Sequence, residues 1–190
     1  MEPTTKIRFE SFSDGVFAIA ITLLALELHV PALNTDSFRA ADLIPLIPGV
    51  MTFVLSFVAI AIFWVNHHQL TQVFTHITRR RILWLNIFFL LFLTLIPFVT
   101  ETMSANIFFG PSISIYAIVL FGASASFSWL RYWIHRSNGD RHILMGRSII
   151  GPAIYFLAVL APLVSIELAY ILLAIPPLFY FLPKHSTPAL

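Results

Sequence analysis

Arg8-Phe9-Glu10-Ser11-Phe12-Ser13-Asp14-Gly15-Val16-Phe17-Ala18-Ile19-Ala20-Ile21-Thr22-Leu23-Leu24-Ala25-Leu26-Glu27 decides how this chain is read. A short polar cluster runs directly into an apolar stretch about as long as a bilayer core is thick, since roughly 20 helical residues cross ~30 Å. Small residues (Gly15, Ala18, Ala20, Ala25) stand among the bulky ones. A helix that only faces lipid has no use for them, whereas helices that must approach one another do. At 100° per residue, Gly15, Thr22, Leu23 and Leu26 share one face with Ile19, and Phe12 and Val16 continue that stripe. Ser13 and Asp14 fall on the other side. One face therefore offers rings of Ile and Leu broken by a single hydroxyl. The other carries a carboxylate whose candidate partners at the same depth are Arg8, Asn66, His67 and His68. A stripe of this kind serves core packing or pore lining, and the wheel does not choose between them.

The rest of the chain agrees with membrane residence. Of the 190 residues, 58% are hydrophobic and 11% charged, and the mean hydropathy is +0.88. So few charges cannot solubilise that much apolar surface, which excludes a soluble enzyme, a disordered tail and a nucleic-acid module as the main reading. With no Cys there is no disulfide, thiolate metal site or cysteine nucleophile. Apolar runs bounded by charges, Pro or Gly predict six spans, at about 12–28, 48–65, 82–99, 113–133, 149–166 and 168–182, in a single all-α domain over residues 1–190. Pro176-Pro177 is expected to kink or end the sixth. Lys6 and Arg8 precede the first span without a clean cleavage site after it, so that span is expected to be retained.

Charge distribution tests this map. Lys6, Arg8, Arg79, Arg80, Arg81, Arg131, Arg136, Arg141, Arg147 and Lys184 fall on one side, and only Arg39 falls on the other. The asymmetry predicts that both termini are cytoplasmic. Trp64, Trp84, Trp129 and Trp133 all lie at inner span ends, where an indole suits the headgroup level.

The run Arg8, Phe12-Ser13-Asp14-Gly15 and the apolar helix behind it resembles the hallmark of the transmembrane protein 175 family, the lysosomal potassium channels of animals and their bacterial relatives. Trp64-Val65-Asn66-His67-His68 and Leu83-Trp84-Leu85-Asn86 are similar to further stretches of the family pattern. The resemblance covers the whole six-span chain, and the first motif is its specific part. Animal members carry two six-span repeats. One repeat resembles the bacterial form and implies a homotetramer in the bacterial cytoplasmic membrane, with the first helix lining a central pore. By the same resemblance Ile19, Leu23 and Leu26 form the constriction, Thr22 bears on selectivity, and Arg8, Ser13, Asp14, His68 and Trp84 form a structural polar network. His67 is the alternative to His68.

The implied function is a potassium-preferring cation leak channel that needs no cofactor, with sodium and protons as weaker permeants. A Thr-Val-Gly-Tyr-Gly filter is absent from the sequence. A ring of Ile side chains supplies no ligands, so an ion crossing it sheds water and regains little. Potassium holds its water less tightly than sodium and meets the smaller penalty, and the same ring closes by dewetting. Glu27, Asp36 and Asp42 lie near the outer mouth, either as cation attractors or as solvated loop charges.

Two other readings compete. A secondary transporter would show inverted repeats and midplane charges, and neither is evident. A membrane metalloenzyme would use His67, His68 and His76 with His135 and His142 in the inner loops. Asp140 is the only acidic residue there, and no zincin spacing occurs.

Overall fold

In hydrocarbon a backbone must satisfy its own N–H and C=O groups, and a continuous helix does so within one segment. The computed structural model, which describes residues 3–28, 40–73, 80–138 and 145–181, is accordingly all-α. Its helices are α1 (Pro3–Leu26), α2 (Ile47–Gln72), α3 (Arg80–Ala105), α4 (Gly110–Ser137), α5 (Met145–Leu160) and α6 (Ile166–Phe181). Short 3-10 segments, Ala40–Leu46 and Ala161–Leu163, precede α2 and follow α5. The first four helices are long and apolar enough to cross a membrane. α5 and α6 are apolar but have 16 residues each, about 24 Å at 1.5 Å per residue.

A helix occupies each of the six expected stretches, and the boundaries differ in instructive ways. α1 starts at Pro3 rather than near Phe12, because the polar residues ahead of the apolar run also take helical form, with Lys6 and Glu10 one turn apart at 3.8 Å. α2 runs on through Gln72, so His67 and His68 belong to a helix and not to a loop. α5 ends at Leu160, and Pro162 lies in the 3-10 turn that follows. Pro176 and Pro177 do not end α6, which continues to Phe181. Arg39, Asp36, His76, Arg79, Asp140, Arg141, His142 and Lys184 lie outside the described residues.

α4 is the central element, packed along α3 on one side and α5 on the other, and α1 lies against α2 and α3. An aromatic cluster joins these layers. Phe89 lies 6.0 Å from Phe17, 5.6 Å from Phe63 and 5.1 Å from Phe127 between ring centroids. Toward the other end, Ser56 Oγ is 2.9 Å from Tyr116 Oη and 2.8 Å from Thr100 Oγ1, a buried hydroxyl group of three that fastens α2, α3 and α4.

The α3–α4 contact depends on Gly122. A Cβ built there would run into the Phe92 ring, closer than real side chains approach. Gly122→Ala must displace that ring, and overpacking of this kind costs about 1–3 kcal/mol. A lowered thermal midpoint in detergent, without change of secondary structure, is the expected result.

Candidate functional site

The face of α1 that packs inside the chain is Phe9, Ser13, Phe17, Ala20 and Leu24, all buried. The spacing of three and four residues keeps them on one side of the helix. The opposite face is uncovered: Ile19 is 60% exposed, Leu23 40% and Leu26 73%, with Thr22 and Gly15 beside them. The stripe read from the helical wheel is therefore the face that the chain itself leaves open. Thr22 Oγ1 donates to Ala18 O at 3.0 Å and to Ile19 O at 2.9 Å. Its proton is thus taken up by the helix, and its oxygen lone pairs remain for a group outside.

Behind this face is a buried polar network. Ser13 Oγ donates to Phe9 O at 3.0 Å and accepts from Asn86 Nδ2 at 2.9 Å. Asn86 Oδ1 lies 2.9 Å from His67 Nε2. An amide oxygen only accepts, so His67 is the donor and carries its proton on Nε2. The imidazole is stacked between Phe9 (5.8 Å, 14°) and Phe89 (6.1 Å, 15°). One helix turn of α1, one of α2 and one of α3 are thereby tied together among aromatic rings, where an unpaired polar atom costs most.

A second pair lies nearer the surface. Trp64 Nε1 donates to Asp14 Oδ1 at 3.0 Å, and the Trp64 ring stacks on His68 at 5.8 Å. The wheel puts Ser13 and Asp14 together, but the structure separates them: Ser13 is fully buried and Asp14 is exposed. Adjacent residues stand 100° apart on a helix, and the boundary of the buried face of α1 falls between these two. Asp14 meets Trp64, which was not among its expected partners. Arg8 is exposed, and Trp84 is 59% exposed on the surface of α3. Of the five residues expected in one network, Ser13 enters the buried set and Asp14 joins His68 through Trp64.

Asn86 and His67 are the members that residue-by-residue reasoning undervalued. A single amide inside the apolar run of α3 was the available signal for Asn86, since an amide at that depth requires a partner. Among the described residues, no three His, Cys, Asp or Glu side chains are grouped to hold a metal ion.

Three comparisons bear on this arrangement. The family described as endosomal/lysosomal potassium channel TMEM175 matches residues 8–97, which hold most of α1, all of α2 and most of α3. A potassium channel of Chryseobacterium sp. (strain P1-3) is 36% identical over 136 residues, 72% of this chain and 68% of that one. The endosomal/lysosomal proton channel TMEM175 of Danio rerio is 38% identical over 86 residues, 41% of this chain and 16% of the fish protein. The crystal structure of a lysosomal potassium-selective channel TMEM175 homolog from Chamaesiphon minutus is similar over 96% of this chain and all of that one. Its TM-score is 0.79 and its identity 26%.

Proposed function

This chain belongs to the TMEM175 family of multi-pass membrane cation channels, and from that premise we propose a homotetrameric, potassium-preferring leak channel. Four copies of α1 surround a central path. Ile19, Leu23 and Leu26 form its hydrophobic constriction, and Thr22 presents one hydroxyl oxygen per subunit to a partly dehydrated ion. Sodium and protons permeate more weakly. The protein resides in the bacterial cytoplasmic membrane with both termini in the cytoplasm, as the distribution of Lys and Arg favours.

The observation that carries this reading is the uncovered Ile19 face of α1, opposite a face held firmly by α2 and α3. A single helix stripe encloses nothing, and cyclic symmetry is the economical way to close it. Gly15 adds independent support. A Cβ at Gly15 would meet nothing within 4 Å, so its smallness has no use inside the protomer. Close approach of a neighbouring copy's helix gives it one. Gly15→Leu is therefore expected to leave a helical, folded protomer but to break the tetramer into smaller species in size-exclusion chromatography with light scattering. Tetramers of unchanged mass would remove this support.

The direct test is ion flux from liposomes containing the purified protein, with potassium and sodium gradients compared, followed by planar-bilayer recording. Unitary current steps with a reversal potential biased toward potassium are expected. Slow saturable flux without unitary steps would instead indicate a carrier.

A further inference from the structure

At the end of the molecule where α3 begins and α4 finishes, two guanidinium groups converge on one indole. Arg81 Cζ lies 4.3 Å from the centroid of the Trp133 ring, and Arg136 Cζ lies 5.9 Å from it. Trp133 and Arg136 are one turn apart on α4, whereas Arg81 comes from α3, so its meeting with them is a product of the α3–α4 packing. Cation–π attraction explains one guanidinium over an indole. A second brings like-charge repulsion that the ring does not remove.

Donors also outnumber acceptors here. Arg136 Nη1 donates to Tyr132 Oη at 3.2 Å. Among the described residues, neither Arg81 nor Arg136 is in an ion pair. The Trp133 Nε1–H is covered and has no acceptor among the described residues. The neighbouring sequence adds Arg79, Arg80 and Arg131, with Asp140 as the one carboxylate in the two connecting stretches. Among the described residues, this local excess of planar, forked donors over acceptors is the complement of a phosphate group, which guanidinium groups bind in bidentate fashion.

We propose that Arg81 and Arg136 over Trp133 form a binding site for the phosphate of an anionic phospholipid headgroup. Position favours lipid over free phosphate. Trp84 and Trp129 are 59% and 54% exposed near the same end, as interfacial indoles are, and Phe88, 45% exposed, lies one turn deeper than Trp84 on α3. A headgroup held at the arginines therefore sits beside an apolar helix surface on which its acyl chains can lie. The site lies on α3 and α4 and not on α1, so it stands or falls independently of the pore assignment.

The test is native mass spectrometry of the full-length protein in detergent, titrated with phosphatidylglycerol, phosphatidylcholine or inorganic phosphate. The wild type should retain phosphatidylglycerol in preference to phosphatidylcholine. Arg81→Gln with Arg136→Gln should weaken that preference about tenfold or more, because each basic side chain near a bilayer contributes on the order of 1 kcal/mol. Each single variant should show part of the loss, which keeps the test decisive if the double variant does not fold. Lys6→Gln with Lys184→Gln removes the same charge elsewhere in the chain and should keep the preference within about twofold of wild type, below the contribution of even one such side chain. Equal loss in both double variants would reduce the effect to general attraction and overturn the site. Displacement of phosphatidylglycerol by inorganic phosphate at matched concentration would overturn its assignment to lipid.

Discussion

Ile19→Asn should make the channel leakier and less able to tell potassium from sodium. In the proposed pore the Ile19 side chains repel water, so an ion meets a stretch where its hydration is not replaced. An amide at each position hydrogen-bonds water and keeps that stretch wet. A fall of about 1.4 kcal/mol in the crossing barrier is tenfold in rate, and current should rise by about that factor or more. Sodium gains more than potassium because it loses more on dehydration, so the reversal potential under opposed gradients should move toward the unselective value. Ile171→Asn is the control. Ile171 is 58% exposed, close to the 60% of Ile19, but it lies on α6, and its replacement should leave selectivity as it was. Unchanged current and reversal potential in Ile19→Asn would remove the hydrophobic constriction from that residue.

The largest loss of stability should come from Asn86→Ala. The change leaves the His67 Nε2–H without its acceptor and Ser13 Oγ without its donor. It also leaves a void beside rings that do not reorganise cheaply. An unpaired buried polar group costs about 1–3 kcal/mol, although hydrogen bonds between membrane helices average nearer ~0.6 kcal/mol. With the cavity included, about 2–4 kcal/mol is expected, read as a lower unfolding midpoint in a denaturing-detergent titration. The asymmetry of hydrogen-bond energetics supplies a sharper form of the test. Replacing the whole group with apolar side chains, as in Asn86→Leu with His67→Phe and Ser13→Ala, removes the orphaned atoms and should recover much of the loss. A triple variant weaker than Asn86→Ala would show that the network contributes more than its own satisfaction.

Much of the architecture was legible before the structure was known. Hydropathy is a sum over consecutive residues, so six apolar stretches and the membrane habit could be read directly, and the motif from Arg8 to Gly15 pointed to the family that the comparisons establish. The ends of the helices were less legible. Polar residues such as those around Lys6 and His68 remain helical beyond the apolar window, and hydropathy does not register them. Pro176-Pro177 reads as a kink or an end, and α6 does not end there. Membrane helices tolerate such residues when neighbouring groups satisfy the backbone that proline frees.

The amino-acid order already held the solvent, the helices and the set of residues that share the Ile19 stripe of α1, because each follows from neighbours along the chain and a rotation of 100° per residue, whereas packing decided that this stripe is left open. Packing alone decided which side chains at one depth meet: Asn86 with Ser13 and His67, Trp64 with Asp14, Arg81 with Arg136 across Trp133. Those partners lie far apart in the chain, and each pairing depends on how one helix is turned about its axis relative to the next. A few tens of degrees there exchange one neighbour for another while leaving the hydropathy of every span unchanged.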